Sequence, residues 1–286
     1  MNEPILITGA TGNVGAEVVR LLAARGRDIR AAVRDPRRLE SLPPNVTIFE
    51  FDFERPETFD AALTGVRRVF FMRPPHISDA TVFDPFLLAM RAAGVEQVVF
   101  LSLLGVERNP VVPHHAIEKH LRDSGLGWTM LRPGFYMQNL STTHLPDIRD
   151  RGEIIVPAGM GRTSLIDARD IALAAVAVLT QPGHVGRAYS LTGSEALTYE
   201  ECAQHLSEAT GRRIRYTRAS GGAFARHMES QGHDREYVKV MRAIYLVAKL
   251  RMAGTVTDDL SRLIGRRPTT FAEFAERNAT LFTPQG

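Results

Sequence analysis

The chain has 286 residues, 44% of them hydrophobic and 23% charged, with a formal net charge of +3 at pH 7. That length can bury a large core, and the balance is ordinary for a globular protein. Three lysines (Lys119, Lys239, Lys249) leave arginine to supply nearly all the cations, scattered among carboxylates, so no clustered footprint for nucleic acid is present.

The N-terminal "MNEPILITGA" runs straight into a strand, without the charged and apolar regions of a signal peptide. The longest apolar run, "IALAAVAVL", falls far short of the ~20 residues a membrane span needs. A cytoplasmic protein without membrane association is expected. The single cysteine, Cys202, excludes an intramolecular disulfide framework and a cysteine-based metal cluster. No other cluster has convincing ligand spacing, so no metal is expected.

In chain order, strands are expected at "PILITG", "DIRAAV", "VTIFEF", "RVFFM", "VEQVVFLS" and "GWTMLRP". Helical patterns at 13–25, 56–63, 79–93 and 114–124 separate them. This alternation implies right-handed crossovers and a parallel sheet with helices on both faces. Several of the strands are continuous apolar runs, as a sheet covered on both sides requires. After Gly134 the rhythm loosens: "EIIVPAG" and "RTSLID" read as short strands, "ARDIALAAVAVLTQ" as a helix and "RAYSLTG" as a strand. Asp167 and Asp170 read as structural carboxylates at the start of that helix. Thr198 with Glu201, and Thr270 with Glu273, form capping-box patterns. The expected division is a nucleotide-binding domain over 1–192 and a smaller region, fused to it, over 193–286.

"ILITGATGNVGAEVVRLL" carries Gly9, Gly12 and Gly15 between a strand and a helix. Gly9 permits the sharp exit, Gly12 lets backbone N–H groups approach a pyrophosphate, and Gly15 lets the helix pack closely. The positive helix end then favours the anion. Thr11, Asn13 and Val14 belong to the same cofactor-binding turn. About 20 residues on, where a carboxylate would bind a ribose, stands Arg34, with Arg37 and Arg38 behind it. Guanidinium groups suit a 2′-phosphate, so NADPH is favoured over NADH. Asp35 keeps the other choice open. Asp52, with Phe53 beside it, is a candidate for the adenine end, or else a turn carboxylate.

With these pieces in place the chain resembles the NmrA-like group of atypical short-chain dehydrogenases. The resemblance rests on "ITGATGNVG", "AAVRDP", "VVFLSLLG", "HHAIEKHLRDSGLGWTMLRPGFYMQNL", "LIDARDIA" and "TDDLSRLIGRRPTTFAEF". It implies an α/β fold, a Rossmann-like doubly wound parallel sheet with a smaller C-terminal substrate-capping α/β region. It also places Met72, Arg73 and Pro74 beside the cofactor's ribose, and Ser102 and Leu103 near the nicotinamide. Pro133, Gly134 and Phe135 would wall the nicotinamide pocket.

Standard members of the wider superfamily use a Tyr-x-x-x-Lys pair, but no tyrosine precedes residue 136 here. His115 and Lys119 share that spacing, whereas the register through "SGLGWTMLRP" points His114 at the cofactor and matches Glu118 to the relatives' glutamate. Imidazole can donate a proton near neutral pH, so His114, with Ser102, is the catalytic candidate and His115 the alternative. Lys119 and His120 read as solvated, and Glu118 as a brace for the loop. Lacking a strong phenolic donor, the site suits conjugated acceptors whose reduced anions are weakly basic. Leu104, His114, Phe135, Tyr136 and Asn139 are the substrate candidates, with Met137 and His144 nearby; core packing is the alternative for the apolar ones.

The expected function is NAD(P)H-dependent hydride transfer to a quinone or aromatic, polyketide-like acceptor, by a monomer or homodimer. A non-catalytic NADP(H)-sensing regulator with a protein partner is the alternative, and a transiently redox isomerase a third.

Overall fold

A computed structural model of the chain describes residues 3–38 and 42–284. In chain order its strands are β1 (Ile5–Thr8), β2 (Ile29–Val33), β3 (Val46–Glu50), β4 (Arg68–Met72), β5 (Gln97–Leu101), β6 (Trp128–Pro133), β7 (Phe135–Tyr136), β8 (Glu153–Val156), β9 (Leu165–Ile166), β10 (Arg187–Leu191) and β11 (Arg215–Arg218). Its helices are α1 (Gly15–Ala23), α2 (Phe59–Leu63), α3 (Asp84–Ala92), α4 (Pro113–Asp123), α5 (Gln138–Ser141), α6 (Ala168–Thr180), α7 (Tyr199–Thr210), α8 (Gly221–Ser230), α9 (Arg235–Lys249), α10 (Asp259–Ile264) and α11 (Phe271–Arg277).

The chain divides into two compact units. The first takes residues up to 133, 168–191 and 259–266; the second takes 134–167, 192–258 and those from 267 on. The interleaving of 134–167 and 259–266 was not anticipated, because no composition shift marks it.

In the first unit seven strands form one parallel sheet in the order β10-β6-β5-β4-β1-β2-β3. The chain builds outward from β1 to β3, then returns through β4 on β1's other side. Ligands in such sheets gather at this reversal, outside the carboxyl ends of the strands. β1 and β5 are buried at every residue, as the apolar runs require. α1 and α6 pack on each other. A phenylalanine cluster (Phe51, Phe53, Phe59, Phe71, Phe86 and Phe100) fills one core.

The second unit pairs β8 with β11 and β7 with β9, both in parallel. Its core surrounds Tyr245, Phe224, Phe271 and Phe274. Both predicted capping boxes form, at the starts of α7 and α11. Asp234 caps α9 by accepting from the Tyr237 N–H at 2.8 Å. Asp167, fully buried, accepts from Gln138 at 2.7 Å and pairs with Arg277. In the first unit Asp170, equally buried, pairs with Arg266 at 2.6 Å. Both carboxylates are structural, through ion pairs that the helix-start pattern does not reveal.

Candidate active site

The glycine turn lies between β1 and α1, beside the sheet reversal. Gly9 has φ +64°, a left-handed conformation that favours glycine. A Cβ on Gly15 would sit 2.1 Å from the Gly9 carbonyl oxygen, so α1 approaches the turn as closely as backbone allows. At the N-cap, buried Val14 supplies no side-chain acceptor, which leaves the first-turn amides of α1 uncapped by any side chain. Thr11 and Asn13 are exposed at the rim. Thr8, which the sequence reading passed over, locks the floor: its hydroxyl donates to Phe70 O at 3.2 Å and accepts from Met72 N–H at 2.9 Å. Met72 in turn lies against Gly9, its Cε 2.1 Å from where a Cβ would be.

At the end of β2, Thr11, Val33, Arg34 and Asp35 line a cleft of about 350 Å³. Arg34 is exposed and makes no ion pair among the described residues. Asp35 is engaged: Arg37 donates Nε to its Oδ1 at 2.9 Å and Nη2 to its Oδ2 at 3.1 Å. The carboxylate that kept the NADH choice open is thus held by a guanidinium, while Arg34 stays available. The Arg38 side chain lies outside the described residues. Asp52 accepts from the Glu54 N–H at 3.1 Å, the turn role. The Phe53 ring is buried, edge-on against Phe51 and Phe83.

The ends of β4 and β5 and the start of α4 bring together Arg73, Ser102 and His114. Among the described residues Arg73 Nε and His114 Nδ1 are buried polar atoms without a hydrogen-bond partner, and buried Ser102 Oγ makes no well-formed hydrogen bond, although the Glu118 carboxylate is close enough to feel its hydroxyl. Such orphans are rare and cost about 1–3 kcal/mol each. Arg73 donates Nη1 to the carbonyls of Pro74, Pro75 and Ile77, wrapping its own loop. Burial lowers its pKa. The His114 ring lies 6.0 Å from that of Phe100. Burial, then the nearby Arg73 charge, brings the His114 pKa down to about 4, against an opposing pull from Glu118. Burial thus favours the neutral imidazole, which can still donate a hydrogen bond through its ring N–H.

His115, the alternative acid, is tied through Nδ1 to Val106 O at 2.9 Å. His120 was expected to be solvated but bonds Asp84 at 2.7 Å. Lys119 is exposed and pairs with Asp123. Glu118 is buried beneath the site and accepts from Arg132 and Arg122. Burial alone would raise its pKa, yet the Arg132 hydrogen bonds, the nearby Ser102 hydroxyl and the two guanidinium charges bring it below the usual value.

Leu103 and Leu104 are half-buried in the loop after β5, and Pro133 is buried at the end of β6. Gly134 opens the second unit, where the Phe135 ring packs against the core. Tyr136 and Asn139 are half-buried there; their polar side-chain atoms have no hydrogen-bond partner among the described residues. Burial raises the Tyr136 phenol pKa. His144 is a core residue of that unit, bonded to the Tyr245 hydroxyl at 2.5 Å. Among the described residues no cluster of acidic, histidine or cysteine side chains could hold a metal ion, and no helix is long and apolar enough to cross a membrane.

Residues 1–275 match the sequence profile of the NmrA-like family. The chain belongs to the NmrA-like family. This NmrA-like chain is 36% identical over 283 residues to the NAD(P)H azoreductase of Xenophilus azovorans, covering 97% of itself and 99% of that protein. Two solved structures are similar along nearly their whole length. One is the NADPH-dependent quinone oxidoreductase QOR2 of Escherichia coli complexed with NADPH, at 30% identity and a TM-score of 0.87, covering 96% of this chain and 99% of that one. The other is the Citrobacter sp. triphenylmethane reductase complexed with NADP(H), at 29% identity and a TM-score of 0.84, with the same coverage.

Proposed function

We propose that this protein is an NADPH-dependent oxidoreductase that reduces conjugated aromatic acceptors such as quinones. The observation that carries the reading is the pair of buried polar atoms on Arg73 and His114 that have no hydrogen-bond partner among the described residues, with the buried Ser102 hydroxyl, set at the strand ends beside a glycine-turn helix without a side-chain cap. The residues present fit a dinucleotide. Gly9, Gly12 and Gly15, with Thr11, Asn13 and Val14, would hold the diphosphate on backbone amides. Arg34 would meet the 2′-phosphate, and Met72 to Pro74, Ser102 and Leu103 would line the path toward the nicotinamide.

A reduced nicotinamide supplies a hydride. The chain's own contribution is to orient and to stabilise charge. Neutral His114 can place a hydrogen bond on an acceptor oxygen that gains negative charge, and the Ser102 hydroxyl can do the same. Neither is a strong acid, so acceptors whose reduced anion is delocalised, with the final proton coming from water, suit this site best. The azoreductase, quinone oxidoreductase and triphenylmethane reductase relatives support that substrate class. We further propose a cytoplasmic location.

The test is NADPH oxidation with a panel of quinones and azo dyes, alongside calorimetry with NADPH and NADH. Turnover with tighter NADPH binding is expected. Tight binding with no turnover on any acceptor would favour the sensing role instead.

A further inference from the structure

Arg73 is a half-buried cation without a counter-ion among the described residues. Its Nη1 serves three backbone carbonyls, which orient the guanidinium but leave its charge unneutralised. Its Nε is buried and has no hydrogen-bond partner among the described residues. Among the described residues no carboxylate lies within ion-pair distance of it. Glu118, which also acts on His114, is committed to Arg132 and Arg122. An unpaired buried charge is costly to keep, and a ligand carrying the opposite charge removes that cost through charge-assisted bonds.

On the proposed reading the cofactor's phosphates would be met elsewhere. The glycine turn lies at β1, and Arg34 lies at β2, on the far side of β1 from β4. Arg73 follows β4, its Nη1 on the loop carbonyls of Pro74, Pro75 and Ile77, and its charge acts on His114 at the start of α4.

We propose that Arg73 determines acceptor specificity: it makes the site select aromatic acceptors bearing a carboxylate or sulfonate over neutral and cationic ones. This rests on the reading of the strand-end cluster as the acceptor side of a nicotinamide site. It also separates this chain from a preference for cationic triarylmethyl dyes, to which a guanidinium is repulsive.

The experiment uses the full chain saturated with NADP+ and three probes of one shape: naphthalene-2-sulfonate, naphthalene-2-sulfonamide and the 2-naphthyltrimethylammonium cation. Calorimetric titration should show the sulfonate binding about ten- to a hundredfold more tightly than the sulfonamide, the span expected of a charge-assisted bond, with the cation weakest. Arg73→Met should bring sulfonate and sulfonamide to within about threefold, while Arg73→Lys keeps most of the preference. Equal binding of the two by the wild type overturns the proposal without any variant, which matters if Arg73→Met does not fold. So does a loss in Arg73→Met that falls on NADP+ rather than on the sulfonate. A wild type that binds no NADP+ removes the parent reading, and this proposal with it, and is seen before any probe is added.

Discussion

Arg132 grips both carboxylate oxygens of Glu118, through Nε at 2.9 Å and Nη2 at 2.7 Å, and so ties β6 to the middle of α4. Glu118 is 2% exposed and Arg132 12%. Removing one member of such a pair leaves the other charge uncompensated, at a cost of about 3–5 kcal/mol. Glu118→Gln should therefore unfold at clearly lower urea concentration at pH 7. Because its folded pKa is lowered, Glu118 contributes stability that is present above the ordinary value of 4.5 and is lost as pH falls through the folded value. The wild type should show that acid loss and Glu118→Gln should lack it. Coincident urea midpoints at pH 7 would mean that the pair contributes nothing.

Gly15→Ala is predicted to damage cofactor binding and folding together. The added methyl would meet the Gly9 carbonyl at 2.1 Å, backbone against backbone, with no flexible side chain to yield. Overpacking of this kind costs about 1–3 kcal/mol, and moving the turn should weaken NADPH at least about tenfold. Thermal denaturation with and without NADPH measures both. A variant with unchanged affinity would show that the amides of this turn do not hold the diphosphate.

The His114 imidazole is neutral across pH 6–8, so its ionisation should leave no inflection near 6.5 in kcat/KM. His114→Gln keeps a hydrogen-bond donor and should retain far more activity than His114→Phe, for which a loss of about a hundredfold is expected. An inflection near 6.5 in the wild type, absent from His114→Gln, would restore the acid role.

Stability carries a second signature of the same burial. His114 and His144 both fall from 6.5 to about 4, mainly through desolvation. Between those values the unfolded chain binds more protons, so stability rises with pH from 4 to 6.5 and is level above. Each residue contributes on the order of 3 kcal/mol over that window. Urea titrations at pH 5 and pH 7 should differ in the wild type, and by less in His144→Gln.

Arg34→Glu should invert the cofactor preference, since the exposed guanidinium is free while Asp35 is held by Arg37. A charge-assisted contact to phosphate contributes about 1.5–3 kcal/mol, so the NADPH-to-NADH affinity ratio should fall at least about tenfold. An unchanged ratio would point to a side chain other than Arg34 as the reader of the 2′-phosphate.

What the sequence determined by itself is local. Strand and helix periodicity, the glycine spacing around Gly12, the capping boxes at Thr198 and Thr270 and the arginine after β2 all act within a few residues, so they are legible in one dimension. The parallel sheet then follows from the alternation of elements. The tertiary structure decided what each ionisable group is. Glu118 meets Arg132 fourteen positions away, Asp167 meets Arg277 across more than a hundred, and His120 finds Asp84. The Phe53 ring is buried because Phe51 and Phe83, distant from each other in sequence, close over it. For His114 the residue type alone gives an imidazole that titrates near neutral pH, whereas burial beside Arg73 lowers its pKa. The reason is physical: hydrogen-bond geometry and periodicity are set by near neighbours, whereas desolvation and charge pairing depend on which distant segments the fold brings within a few ångströms.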